Sequence, residues 1–148
     1  MIVRIETKAL LDHPPAAVFA TAADPLTQLR WDPVTLRGVE KINDGPLGLG
    51  ARYRGAFKGL GSIDYEFVEY EPDRRFAHLA RLPMGTLRHT FSFELAERGT
   101  EMTQTGELRP NLIGRIGRRI MARALRHRFE TIAVEIDRYL SSREGPAS

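Results

Sequence analysis

From Thr86 to Leu95 apolar and polar residues alternate without exception: Leu87, His89, Phe91, Phe93 and Leu95 fall on one face, and Thr86, Arg88, Thr90, Ser92 and Glu94 on the other. A period of two is the signature of a strand with one dry and one wet side. Such a strand needs neighbours along its edges and something apolar laid over its dry side. The dry side carries a histidine among aromatic rings, and a polar group there must find a partner in the protein, in water or in a bound molecule.

The rest of the chain supplies the neighbours. Met1 to Leu11 has strand character, which His13-Pro14-Pro15 stops because proline cannot donate to a central ladder. Ala16 to Ala23 suits a short helix; Asp24-Pro25 offers a cap and a first-turn proline for a second, which Trp31-Asp32-Pro33 closes. Between Thr35 and Pro110 turn-forming groups recur at Asn43-Asp44-Gly45-Pro46, Gly48, Gly50, Gly59, Gly61, Glu71-Pro72-Asp73, Pro83-Met84-Gly85 and Arg98-Gly99. They divide the segment into six strands of an antiparallel meander. After Pro110, Met121, Leu125, Phe129, Ile132, Ile136 and Leu140 recur at helical spacing, predicting one long helix over residues 112–142. It is the only element long enough to cover the dry face. The expected fold is α+β: a seven-stranded antiparallel sheet curled around a long C-terminal helix, with two short helices between strands 1 and 2.

With 148 residues the chain has the size of one ordinary domain, expected over 1–143, with 144–148 as a loose tail. No stretch approaches the roughly 20 apolar residues that span a bilayer. The N-terminus runs into a strand pattern without the sections of a secretory signal, so a cytoplasmic protein is expected. The absence of cysteine excludes disulfides, thiolate metal sites and cysteine nucleophiles.

The order of elements and several short motifs resemble the helix-grip, or START-like, superfamily (SRPBCC), which includes the birch-pollen allergen, the steroidogenic lipid-transfer domains and the bacterial polyketide cyclase/dehydrase-like proteins. The matching residues are Val18-Phe19, Asp24-Pro25, Trp31-Asp32-Pro33, Gly48-Leu49-Gly50-Ala51-Arg52-Tyr53, Glu69-Tyr70-Glu71-Pro72-Asp73-Arg74-Arg75-Phe76 and Gly99-Thr100-Glu101-Met102-Thr103. The resemblance implies a deep cavity between sheet and helix. It does not choose an activity, because such folds host cyclases, hydrolases, carriers and receptors.

If each strand aims its bulkier apolar set inward, the cavity walls are Tyr53 and Phe57, Tyr65 and Phe67, Phe76, His78 and Ala80, His89, Phe91 and Phe93, and Met102 and Gln104. Trp31, Met121, Leu125 and Phe129 would close it. A mostly aromatic wall with a few polar tips suits a flat, hydrophobic or amphipathic molecule bearing one or two oxygens. Two readings stand side by side for His78 and His89: a neutral imidazole bonded to its neighbours, or a ligand contact. Were the chain a polyketide cyclase or dehydratase, His89, His78 and Tyr65 would be its proton donors and acceptors. No metal is expected, because Asp64, Glu66 and Glu94 fall in the outward register, and no cofactor motif is present. Ser62, Ser92, Ser141 and Ser142 lie in turns, on the wet face or at the tail, and no Gly-x-Ser-x-Gly is present.

The net charge of +3 is local in origin. Arg115, Arg118, Arg119, Arg123, Arg126 and Arg128 lie in one acid-free run, and +3 less these six leaves −3 for the remainder. Ile113, Ile116, Ile120 and Ala124 share a strip rotated away from the later apolar stripe. That strip reads as a pocket lid, a homodimer contact or a membrane-touching face where arginines meet anionic head groups; the alternative is a plain solvated face. Nucleic acid is not an expected partner, because the face has no interleaved aromatics for stacking.

Overall fold

The computed structural model describes residues 1–143. In chain order the elements are β1 (Val3–Leu11), α1 (Pro15–Ala23), α2 (Pro25–Trp31), β2 (Leu36–Lys41), β3 (Arg52–Phe57), β4 (Gly61–Glu71), β5 (Arg75–Leu82), β6 (Gly85–Ala96), β7 (Gly99–Pro110), α3 (Leu112–Ile116) and α4 (Arg118–Arg143). The strands form one antiparallel sheet in the order β1-β7-β6-β5-β4-β3-β2. This is the expected α+β architecture. The tail expected over 144–148 lies outside the described residues.

β1 and β2 are consecutive among the strands yet sit at opposite edges of the sheet. The α1–α2 pair must therefore cross from one edge to the other, and it closes the concave side. Its local chemistry fits that task. Pro15 starts α1 without wasting a donor, the Asp24 side chain accepts from Leu26 N at 2.9 Å to cap α2, and the buried Trp31 indole donates to Thr21 O at 3.0 Å. α4 supplies the second cover through buried Phe129, Ile132, Ala133, Ile136 and Leu140.

Two features depart from the sequence pattern. The C-terminal helix is not continuous: Gly117 takes a non-helical conformation (φ −98°, ψ 19°) and separates α3 from α4. Glycine interrupts a helix at low cost because it forfeits no side-chain packing and has the widest backbone freedom. Leu95, on the alternating dry face, is 81% exposed, because β6 runs on beyond the helices toward its turn with β7.

Candidate functional site

The inward register is as the alternation requires. His78 and His89 are directly paired across β5 and β6, Tyr65 opposes Ala80, and His89 opposes Gly106 of β7. At one end of the concave face this inward set is packed solid. α1 drives Phe19 among Tyr70, Phe76 and Phe93, edge-on to each with centroids 5.4–5.6 Å apart. Phe67 and Phe76 are fully buried behind it.

At the other end α1 presents only the small side chain of Ala22, and a cavity of about 300 Å³ remains between the sheet, α1, α2 and α4. Its volume lies at the lower end of the range for small-molecule sites. Of the residues placed at its walls by sequence register, Trp31, Phe57, Tyr65, His78, Ala80, His89, Phe91, Leu125 and Phe129 line it. Tyr53, Phe67, Phe76, Phe93, Met102 and Gln104 do not; they belong to the packed interior. Met121 is also absent from the wall, since the start of α4 projects past the sheet and Ile120 beside it is 78% exposed. The wall also includes Gln28, Thr35, Lys58, Leu60, Ile63, Leu82, Leu87, Arg128 and Ile132. Leu87 and Ile63 were legible as inward strand positions; Lys58 and Leu60 come from the β3–β4 turn, where Gly59 and Gly61 hold positive φ and no periodicity applies.

His89 is clamped between rings, stacked on Phe91 at 4.3 Å and on Phe129 at 4.2 Å. Gly106 makes room for this: a Cβ there would sit 2.7 Å from Phe129 Cζ. The Gln104 amide fixes the imidazole chemically. Its NH₂ donates to Phe129 O at 2.7 Å, so the atom 3.0 Å from His89 Nε2 is the amide oxygen, and His89 must donate from Nε2. Nδ1 is left with its lone pair. Burial, reinforced by His78 beside it, depresses His89 to about 3.

His78 is treated differently. It is packed edge-on to Phe67 at 4.5 Å and tilted against Tyr65 at 5.0 Å, and burial lowers its pKa to about 3. Its Nε2 and the Tyr65 hydroxyl are buried without a hydrogen-bond partner among the described residues. Burial raises the Tyr65 pKa, so the phenol stays protonated and available as a donor. Two unsatisfied buried polar atoms cost on the order of 1–3 kcal/mol each, and the residues that carry them both line the cavity.

A charge pair flanks the cavity. Asp32, fully buried, receives both terminal nitrogens of Arg128, one of them at 3.4 Å, and the Gln28 amide at 3.1 Å. The pair ties the end of α2 to α4. Glu135 lies close enough for burial and the Asp32 charge to raise its pKa. Elsewhere, His13 Nε2 stands 3.2 Å from Ser141 Oγ and 3.4 Å from Asp137 Oδ1. A nucleophile relay needs serine and acid on opposite ring nitrogens, whereas here both face the same one; the group fastens the entry to α1 onto the end of α4. Among the described residues no three potential ligands gather as a metal site, and no helix is long and apolar enough to cross a membrane.

Residues 3–140 match the family model described as polyketide cyclase / dehydrase and lipid transport. The chain belongs to that family. Solved structures similar to this chain include the ZhuI aromatase/cyclase from Streptomyces sp. R1128 (15% identity, 100% of this chain and 99% of that one, TM-score 0.82). Others are a Staphylococcus aureus protein of unknown function (16% identity, 97% and 96%, TM-score 0.77) and Ara h 8.0201 (13% identity, 96% and 99%, TM-score 0.73). At these identities the likeness is one of fold. No curated protein matches.

Proposed function

We propose that this protein binds or carries a flat, hydrophobic or amphipathic small molecule, aromatic, lipid or polyketide-like, in the cavity between β4–β6, α2 and α4. The observation that carries this reading is the cavity itself, about 300 Å³ walled by apolar rings, with Tyr65, His78 and His89 as the polar side chains among them. The hydroxyl donates to a ligand oxygen, and Trp31, Phe57, Phe91 and Leu125 sandwich the apolar body. The family description, with its lipid transport, supports the same reading.

Ala80 tests it. Its small side chain faces the cavity, directly opposite Tyr65 on the neighbouring strand. Ala80→Trp is expected to fill the space and weaken binding of the fluorescent probe anilinonaphthalene sulfonate by about tenfold or more, against about 1–3 kcal/mol of overpacking cost to the fold. Titration of the probe into folded parent and variant decides the matter; equal affinity for both would sink the proposal.

A second reading is favoured by the structural likeness to an aromatase/cyclase: cyclisation or dehydration of a polyketide chain in the same cavity, with His89, His78 or Tyr65 moving protons. Against it, an imidazole with a pKa of about 3 is a weak base at neutral pH, where general bases work best with pKa values near the ambient pH. If catalysis occurs, His89→Phe should abolish turnover of an aromatic polyketide while affinity stays within a few fold, since Phe preserves the stack between Phe91 and Phe129. Equal loss of affinity and turnover would reduce His89 to a binding contact.

A further inference from the structure

The sharpest anomaly outside the cavity is the α3–α4 junction. Leu112, Ile113, Ile116 and Ile120 are 78%, 74%, 90% and 78% exposed. Four large aliphatic side chains on consecutive turns, all bare, cost free energy unless something covers them. Interleaved with them are Arg115, Arg118, Arg119 and Arg123, all exposed. The run from Leu112 to Phe129 contains no acid, and among the described residues none of these arginines lies within ion-pair distance of a carboxylate.

The covering surface must therefore be apolar at depth and anionic at its face. A second copy of the chain fails the second condition, since a two-fold contact through this face would set arginine row against arginine row. Nucleic acid fails the first, because the centre of the patch is aliphatic and offers no ring for a base to stack on. We propose that α3 and the first turns of α4 dock on an anionic lipid bilayer. The aliphatic side chains enter the head-group boundary while the arginines engage phosphates, the arrangement of an interfacial amphipathic helix.

The position of the patch gives docking a purpose. Asn111 accepts from Gly114 N at 2.9 Å and its backbone N donates to Met84 O at 2.9 Å, so α3 is fastened to the β5–β6 turn. Leu82 and Leu87, on either side of that turn, line the cavity. A bilayer held at α3 thus sits beside the cavity end not filled by α1. The docking itself does not depend on the identity of any cavity ligand.

Co-sedimentation with vesicles of phosphatidylcholine, with and without phosphatidylglycerol, tests the proposal on the whole protein. Binding is expected only with the anionic lipid, weakening strongly in high salt as the screening length falls from about 10 Å at 0.1 M to about 3 Å at 1 M. Arg118→Glu with Arg119→Glu should reduce it on the order of a hundredfold. Ile116→Ser with Ile120→Ser should reduce it by about tenfold or more while thermal stability is unchanged, as both side chains are already in solvent. No association of the parent with anionic vesicles, or equal association with neutral ones, would overturn the proposal. Association indifferent to the isoleucine pair would also overturn it, pointing to an acidic protein partner, as would a dimer in solution that those two substitutions dissociate.

Discussion

Replacing Arg128 by Met is expected to destabilise the fold by about 3–5 kcal/mol, the range for stranding one member of a buried ion pair. Asp32 has no exposure, and without the guanidinium the Gln28 amide and the Glu135 carboxyl are the side-chain partners left to it among the described residues. Glu135 would then face Asp32 with less compensating positive charge. Methionine keeps most of the side-chain length at the cavity wall, so the loss reports the charge rather than a hole. The converse substitution should be milder. Asp32→Asn leaves Arg128, whose side chain retains 26% exposure, free to turn toward water, and about 1–2 kcal/mol is expected. The double variant should recover much of the Arg128→Met loss. Urea denaturation of the three variants checks all of this; equal costs for the two single changes would refute the asymmetry.

The second large effect is a loss of stability in mild acid. His78 and His89 are held neutral in the fold, each with a pKa depressed to about 3, whereas an unfolded histidine titrates near 6.5. Above pH 6.5 both states are neutral and the two imidazoles contribute no pH dependence. Below it the unfolded chain binds protons that the folded chain refuses, so stability falls as pH drops from about 6.5 toward 3. Each ring adds a slope of about 1.4 kcal/mol per pH unit over most of that interval. His78→Phe should remove one such slope. At neutral pH it should leave stability level or slightly improved, because it deletes an unpartnered buried nitrogen while keeping ring volume. Unfolding free energies at pH 7, 6 and 5 give the comparison, and parallel pH profiles for parent and variant would contradict it.

The strand registers were legible because each strand has one dry face, and Leu87, His89, Phe91 and Phe93 announce it by period alone. The division between cavity wall and solid core was not. Tyr65 and Phe67 share a face of β4, yet one borders the cavity and the other is packed among Tyr53, Tyr70 and Phe76, and that difference depends on what α1 lays over the sheet, the Phe19 ring at one end and the small Ala22 at the other. Periodicity reports direction and carries no information on depth. The Asp32–Arg128 pair was hidden for another reason: its members are 96 positions apart, and each had a plausible local role, Asp32 at a helix end and Arg128 within a basic run. The exposed Leu95 and the break at Gly117 show the same limit at element ends, where solvent and turn geometry replace packing as the deciding influence.

The first strand completes its hydrogen bonds only with the last. β1 pairs along its whole length with β7, Val3 opposite Leu108 and Leu11 opposite Thr100. During synthesis the N-terminal segment therefore has no edge to join until about a hundred further residues have left the ribosome, and sequence separations of that size slow folding. Val3 to Leu11 can complete its backbone hydrogen bonds only once β7 is available, so closing the β1 edge is a late event of folding.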